Sequence, residues 1–189
     1  MEYAAARVRT TAAVSFLLLL ALLPAWPGAA TAEEATCPFA EKRPPLGEIL
    51  KGLPSQRPSL CKANLAGTNL TGVDLTGVDL TGATLKGSNL AWASLNGIRL
   101  AGANLAGSNL AQADLTGADL TGADLTGANL AGAKLYSANL SNADLTHAYL
   151  GSADFQSTNL TSVKGLACDQ VRAAKTDRAT TLPNGMKCD

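Results

Sequence analysis

A leucine stands at every fifth position through the centre of the chain, from Leu60 to Leu160, with Phe155 as the single replacement. Two residues before each of these central residues stands a small side chain, most often alanine. A period of five matches neither the 3.6-residue turn of an α-helix nor the two-residue alternation of a flat strand. The leucines share one side of the chain only if the backbone coils regularly, so the pattern predicts a solenoid.

The two apolar positions of the repeat are expected to fill the inside of the coil. One is large and the other small, as in Leu120 and Ala118, so a narrow bore receives one of each on every side. Glycine dominates the last repeat position from Gly67 to Gly132, where a corner needs permissive backbone angles. After Gly132, serine, asparagine and histidine take that position, so the later corners must tolerate side chains. The core residues that we expect include Leu65, Leu85, Leu105, Leu125 and Leu145.

The repeated unit, in its fullest form Ala118-Asp119-Leu120-Thr121-Gly122, resembles the pentapeptide-repeat family. The resemblance covers Ala63 to about Val163. In that family the fold is a right-handed quadrilateral β-helix, in which each pentapeptide forms one side and four form a coil. The resemblance therefore implies an all-β solenoid of about five coils, roughly 24 Å long at a strand spacing of ~4.8 Å.

A coil of four pentapeptides would stack residues that are one coil apart in sequence. Arg99 would then lie between Asp79 and Asp119, and Lys134 would likewise have an acid on each side. Opposite charges on adjacent strands contribute ~0.2–1 kcal/mol each. The alternative is that Asp and Asn are simply frequent in this position. A second column would form an asparagine ladder of Asn69, Asn89, Asn109 and Asn129.

The N-terminal residues have the features of a secretory signal peptide over residues 1–32. Arg7 and Arg9 precede an apolar run from Ala12 to Leu23, and a small-residue site follows that predicts cleavage before Glu33. The alternative is a membrane anchor, but the run is shorter than the ~20 residues that a spanning helix needs. We expect no stable membrane anchor after cleavage. Export would lead to the periplasm or the extracellular space, or to the thylakoid lumen in a photosynthetic source.

The four cysteines are expected to form two disulfides, as an even count in an exported chain indicates. Cys37 and Cys61 precede the coils, whereas Cys168 and Cys188 follow them. Bonded cysteines need Cα atoms within ~7 Å, and the coils separate the two pairs. We therefore predict Cys37–Cys61 and Cys168–Cys188, each closing a loop worth about 3 kcal/mol in the chain-entropy model. The alternative is a metal site or a reactive thiol, although no CxxC pair occurs.

The ends of the solenoid are expected to be capped by short helices, since open ends expose apolar surface and unpaired strand edges. At the N-terminal end, apolar residues from Leu46 to Leu53 follow helical spacing within residues 33–61. The repeat would occupy residues 62–164 and fail at Gly165. The last segment, residues 165–189, would hold a helix over Asp169 to Thr176 with Val171 facing the last coil.

Little in the sequence predicts enzymatic chemistry, a cofactor or a metal. His147 is the only histidine, and a solvated surface role is the simpler interpretation than a general base. Asp124 and Asp144 would stack as a pair, but calcium takes ~6–8 oxygen ligands. No phosphate loop or dinucleotide fingerprint occurs. The counts of basic and acidic residues are equal, at 15 each, so no basic surface for nucleic acid is expected.

The remaining class of function is the recognition of another molecule. Trp92 takes a position that is nearly always glycine before it, and Tyr136, His147 and Tyr149 form a second candidate binding surface toward the last coils. Exposed aromatic residues are enriched at interfaces. The alternative is that they occur singly on the surface without a function.

Three functions follow from these features. The first is an exported, non-enzymatic scaffold that binds a protein or a surface as a monomer or dimer, with the protein partner unidentified. The second is implied by the resemblance: the quinolone-resistance members of the family mimic DNA and act on gyrase. Those members are strongly acidic cytosolic dimers, whereas this chain has a signal-like segment and balanced charge. The third function is an enzyme with a site on its surface.

Overall fold

A computed structural model of the chain describes residues 59–188. Its strands are single parallel bridges, and within each column a residue pairs with the one that lies one coil later. Four columns alternate along the chain, so the solenoid has four sides, which we name faces 1 to 4. The columns are Ser59, Asp79, Arg99, Asp119, Asn139 and Asn159 on face 1; Asn64, Thr84, Asn104, Asp124, Asp144 and Lys164 on face 2; Asn69, Asn89, Asn109, Asn129 and Tyr149 on face 3; and Asp74, Ser94, Asp114, Lys134 and Asp154 on face 4.

Each corner between two faces is a tight turn that begins at the central leucine. At one such corner the Ala118 N–H donates to the Leu115 carbonyl at 3.0 Å. The third turn residue, Gly117, has a φ of 66°, the positive value that a type II turn requires. Between coils, the Leu115 N–H donates to the Lys134 carbonyl at 2.7 Å. Turns and ladder together give nearly every backbone group a partner, as buried backbone demands.

The core is a single column of leucines and small residues that runs through the solenoid. Leu65, Leu85, Leu105, Leu125 and Leu145 are all fully buried, in the inward position that the repeat predicts. Phe155 is also fully buried. The small position holds mainly alanine; two of the hydroxyl residues there, Thr68 and Ser88, donate to the Leu65 and Leu85 carbonyls inside the coil, both at 2.7 Å.

The corners keep the same left-handed backbone whether or not glycine occupies them. Glycine corners in the repeat have φ between 59° and 66°, and the non-glycine corners of the repeat have φ between 55° and 62°. The geometry is therefore imposed by the coil, and non-glycine residues adopt it at a cost of ~1–2 kcal/mol each. These non-glycine corners are Lys62, Trp92, Gln112, Ser137, Asn142, His147, Ser152, Ser157 and Ser162.

The repeat ends at Gly165, which stands where the next central leucine would fall. Its φ is 70°, and a Cβ at this position would overlap the backbone of Thr146. The chain thus crosses closely over the corner of the preceding coil, an approach that only glycine allows without displacement.

Helix α1, Cys168–Ala173, follows this crossing and lies over the last coil. Val171 is buried, and the Gln170 side chain bonds twice: its Oε1 accepts from the Ala167 N–H at 2.8 Å, and its Nε2 donates to the Ala148 carbonyl at 2.9 Å. The sequence predicted a helix over Asp169 to Thr176. The helix ends earlier because Lys175 rejoins the ladder and pairs with Asp154.

After Lys175 the chain forms one further, irregular layer. Thr181 pairs with Asn159 on face 1. Between Lys175 and Thr181, Asp177 forms a turn, and its carboxylate accepts from the Ser157 N–H at 2.9 Å and from the Thr180 N–H at 2.8 Å. The tail then returns to α1, where Cys188 is bonded to Cys168 with Cα atoms 5.2 Å apart.

Three of the predictions lie outside the described residues. They are the signal peptide over residues 1–32, the N-terminal helix around Leu46 to Leu53, and the disulfide partner Cys37. Within residues 59–188, no helix has both the length and the apolar character that crossing a membrane requires.

Candidate functional site

Face 3 differs from the other three faces in its charge. Its outward column consists of four asparagines followed by Tyr149 and contains no ionisable acid or base. Each of the other columns contains both acids and a cation, such as Arg99 on face 1, Lys164 on face 2 and Lys134 on face 4. Among the described residues, face 3 is therefore the one side whose outward column lacks charge, although Lys86 and His147 lie at its corner with face 2.

The asparagine side chains on face 3 are held in fixed orientations by the turns that follow them. The Oδ1 atoms of Asn89, Asn109 and Asn129 each accept from the backbone N–H two residues later, all at 3.1 Å. The Asn109 Nδ2 also donates to Asn89 Oδ1 at 3.1 Å, which links two coils. With the acceptor atom fixed, the amide N–H groups of the column keep a regular direction along the face.

Trp92 lies at the corner between faces 3 and 4, in the coil of Asn89. Its side chain is 67% exposed and its φ is 61°, the left-handed conformation that bulky residues rarely adopt. The positions one coil before and two coils after it in this corner column are Gly72 and Gly132. Gln112, one coil later, has the same left-handed backbone, so what distinguishes Trp92 is its large exposed apolar side chain.

Tyr149 replaces asparagine at the end of the face 3 column, where it pairs with Asn129. Its side chain is 70% exposed. His147 lies two residues earlier, at the exposed corner between faces 2 and 3, with a φ of 59°. The solenoid therefore places Tyr149 at the end of the face 3 column, His147 at the edge toward face 2 and Trp92 at the edge toward face 4.

Tyr136 is separated from this group. It follows Leu135 at the corner between faces 4 and 1, which does not border face 3. Its side chain is 48% exposed. Of the four residues expected to contribute to binding, the structure thus brings Trp92, His147 and Tyr149 to face 3 and its edges, and it leaves Tyr136 on the far side.

A shallow depression lies on face 3 beside Tyr149. Its floor is formed by the asparagine column and by corner residues without bulk; the lining residues are Gly107, Ser108, Asn109, Gly127, Asn129, Ala131, Tyr149 and Gly151. Ser108 is buried, and its Oγ has no hydrogen-bond partner. Sequence reasoning missed this depression, because it forms only when glycines from different coils are stacked.

The Pentapeptide repeats family matches residues 59–90, 85–122, 93–132 and 123–161, which together make up more than half of the chain. This chain belongs to the pentapeptide-repeat family. No curated protein matches it in sequence with statistical significance. Pentapeptide-repeat proteins are generally structural or binding scaffolds rather than enzymes.

Two solved structures of this family are similar to the chain. A pentapeptide-repeat protein from the Arabidopsis thaliana thylakoid lumen is 33% identical, with a TM-score of 0.56 over 62% of this chain and 83% of that one. QnrB1, a plasmid-mediated fluoroquinolone resistance protein, is 18% identical, with a TM-score of 0.52 over 65% of this chain and 66% of that one. These pentapeptide-repeat neighbours imply that the four-sided coil is a right-handed quadrilateral β-helix.

The acids of the pentapeptide-repeat coils take part in local turn structure. Asp74 and Asp144 each accept from the backbone N–H two residues later, at 3.0 and 2.9 Å. Hydrogen bonds from the Thr76 side chain and backbone lower the pKa of Asp74, and those from Thr146 do the same for the pKa of Asp144. The carboxylates are thus stabilised in the charged form, which suits a turn acceptor better than a general acid.

The predicted charge columns are present but weak. Arg99 Nη1 lies 3.8 Å from Asp79 Oδ2, and Lys134 Nζ lies 3.4 Å from Asp114 Oδ2. Both cationic side chains are 65% exposed, and exposed ion pairs contribute only ~0–1 kcal/mol. Residues 59–188 hold no group of three or more side chains that could bind a metal ion, so the stacked Asp124 and Asp144 stay a pair.

Proposed function

We propose that this pentapeptide-repeat protein is an exported, non-enzymatic scaffold that binds a protein or a surface structure through face 3. One observation supports this most: the exposed Trp92 lies at the edge, and the exposed Tyr149 at the end, of the single outward column without charge among the described residues. An exposed tryptophan in a left-handed corner costs stability, and a binding role accounts for its presence. Trp and Tyr are also the residues that most often dominate binding energy at interfaces.

Export is the second part of the proposal. The signal-like residues 1–32, the Cys168–Cys188 disulfide and the likeness to a thylakoid lumen protein all support it. Disulfides form and persist in oxidising compartments. The compartment we propose is the periplasm or the extracellular space, or the thylakoid lumen in a photosynthetic source, and the mature chain would begin at Glu33.

The finer architecture that we propose is about five coils, at a strand spacing of ~4.8 Å, closed by helical caps at both ends. The limits are residues 33–61 for the N-terminal cap, 62–164 for the coils and 165–189 for the C-terminal cap. The coil stacking over Ser59 to Asn159 and the position of α1 support it. The caps would cover the apolar bore and the strand edges at each end.

The DNA-mimicking alternative has less support. The likeness to the fluoroquinolone resistance protein is one of fold, and gyrase mimicry would call for a continuous acidic surface. Here Arg99 interrupts the acids of face 1 and Lys134 those of face 4, whereas face 3 has no acid. A neutral, aromatic-flanked face suits another class of partner.

Two measurements test the proposal. N-terminal sequencing of the native protein should begin at Glu33, and recovery of an intact Met1 from the cytosol would contradict export. Affinity capture from the exported compartment should recover a partner with the native protein and lose it with Trp92→Ala. Capture that is equally strong with Trp92→Ala would mean that face 3 is not the binding surface.

The His147→Ala variant tests the enzyme alternative, because a loss of catalysis by a folded variant would revive it.

A further inference from the structure

We propose that face 3 binds one chain of an uncharged polysaccharide, lying parallel to the solenoid axis. The inference rests on the proposed role as an exported binding scaffold, and it names the chemical class of the partner. Its occupant is a neutral glycan polymer, as distinct from a globular protein partner. Four features of the face support this choice: its dimensions, its aromatic side chains, its fixed amides and its lack of charge.

The dimensions of face 3 suit a linear ligand. From Asn69 to Tyr149 the column spans four strand spacings, roughly 19 Å, and the three extended residues of one side, at ~3.3 Å each, make it roughly 10 Å wide. A strip of roughly 200 Å² falls well below the ~800 Å² that each partner buries in a stable protein–protein interface. A single polymer chain, in contrast, can lie along such a strip with most of its contact surface on the face.

Two aromatic residues flank the strip at separated levels. Trp92 lies in the coil of Asn89, and Tyr149 lies three coils later, roughly 14 Å along the axis. The C–H faces of sugar rings are apolar and pack against aromatic faces, while the hydroxyls around their edges stay polar. Two aromatic residues several sugar lengths apart would hold a chain at two points, an arrangement that favours a polymer over a free monosaccharide.

The column between the aromatics supplies polar groups of matching chemistry. An amide side chain can donate and accept at the same time, as neighbouring sugar hydroxyls require. The turn bonds at 3.1 Å already fix Asn89, Asn109 and Asn129, so a ligand would not have to order these side chains on binding. The depression beside Tyr149 is lined by asparagines of the column and by glycine and alanine at the corners, so a polymer can approach the backbone there.

The charge distribution separates this ligand from anionic ones. A cationic side chain in the column would favour an acidic polysaccharide. An acidic side chain would lose its hydration when a neutral polysaccharide covered it, which costs binding free energy. The face 3 column has neither, whereas the other three columns contain both; Lys86 and His147 lie at the corner toward face 2, outside this column. Binding should therefore be insensitive to salt, since screening acts only on charge.

The test uses the full exported protein in affinity electrophoresis, with neutral β-glucan, mannan or xylan in the gel. We expect retardation by at least one neutral polymer, with no loss in high salt. Trp92→Ala and Tyr149→Ala should each weaken the affinity about tenfold, since each removes one aromatic contact. Tyr149→Phe should bind as the native protein does. Tyr136→Ala is the matched control, because this exposed tyrosine lies on the far corner and should leave binding unchanged.

A second variant keeps the inference falsifiable without an aromatic substitution. Asn109→Asp retains the turn acceptor, as aspartate does at this position on other faces, but loses the amide donor. It should fold normally and bind the neutral polymer several-fold more weakly. Three results would overturn the inference: no retardation by any neutral polymer, binding only to acidic polymers in low salt, or an equal effect of Tyr136→Ala.

The two proposals fail in different ways. If Trp92 and Tyr149 are needed to capture a protein and no polysaccharide binds, the glycan inference is wrong while the scaffold proposal stands. If polysaccharide binds but the native protein retains Met1 in the cytosol, export is wrong and the ligand class stands.

Discussion

The coils and the C-terminal layer of this protein are specified in different ways. From Leu60 to Val163 each five-residue unit repeats one geometry, so each position of the unit has the same structural role throughout. From Gly165 to Cys188 the ladder continues only at Lys175 and Thr181, and the layer otherwise depends on particular groups: Gly165, the Gln170 side chain, the Asp177 carboxylate and the disulfide. The stability of the coils is distributed over many equivalent contacts, whereas the stability of the C-terminal layer depends on a few specific contacts.

The first prediction compares a leucine from each region. Leu125→Ala opens a cavity in the centre of the coils, and the fixed backbone on all four sides limits collapse. We expect a loss of ~2–5 kcal/mol in the free energy of unfolding. Leu182→Ala, at a half-buried position in the C-terminal layer, should cost less than half as much. Chemical denaturation measures both variants, and equal losses would mean that the end is as tightly packed as the coils.

The second prediction concerns the disulfide that ties the tail to α1. The Cys168→Ser, Cys188→Ser double variant removes a cross-link with a sequence separation of 20 residues. The chain-entropy model gives a loss of about 3 kcal/mol, confined to the C-terminal layer because coils contact only their neighbours. Amide hydrogen exchange should show faster opening of α1 and unchanged protection of the coils before Leu120. Uniform loss of protection would contradict the separation between the two regions.

These two predictions show what could be read from the sequence. The inward leucines and the four columns were predictable, because a period of five admits only a coil, and the resemblance gave four sides. The Asp and Asn preference was understood only in part: it was interpreted as a sign of stacking, whereas each such oxygen accepts from the N–H two residues later. Because this hydrogen bond forms within the turn and does not depend on the neighbouring coils, Asp and Asn are frequent in every column.

The remaining features depend on stacking between coils or on non-repeating contacts. The outward column of face 3 lacks charged residues because every fourth pentapeptide has Asn or Tyr at its outward position. In the sequence, this was visible only as the asparagine ladder. The position of Tyr136 relative to Tyr149 needed the corners to be assigned to faces. The helix was predicted too long, since the pairing of Lys175 with Asp154 leaves no trace in local sequence.

The third prediction separates the two reasons why glycine is needed at the end of the repeat. Gly165→Ala introduces both an unfavourable φ and an overlap with the Thr146 backbone. Gly185→Ala is the matched control, because its φ is also positive, at 84°, but nothing lies near its Cβ. We expect ~1–2 kcal/mol of destabilisation at Gly185 from the backbone alone, and a further ~1–3 kcal/mol at Gly165 from the forced displacement. Thermal unfolding of the two variants measures the difference, and an equal effect would mean that the crossing is not tight.

The smallest effect that we predict is a loss of the Asp177 turn in acid. The Ser157 backbone N–H is the main cause that lowers the pKa of Asp177 to about 2, with a desolvation contribution opposing it and hydrogen bonds from the Thr180 and Ser157 hydroxyls assisting. Because the pKa in the folded protein lies below the ordinary value of 3.8, the charged carboxylate stabilises the fold at any pH above 3.8. That contribution decreases as the pH falls from 3.8 toward about 2.

Hydrogen exchange at the Ser157 amide, measured across this pH range, should therefore accelerate in acid beyond the intrinsic pH dependence. Asp177→Asn should be less protected near neutral pH and should lose the acid-dependent step. Asp144 provides the comparison within the coils, since its pKa is also lowered but the neighbouring strands hold its turn on both sides. If Thr146 and Ser157 lost protection together, the outermost layer would be no more dependent on a single carboxylate than the coils are.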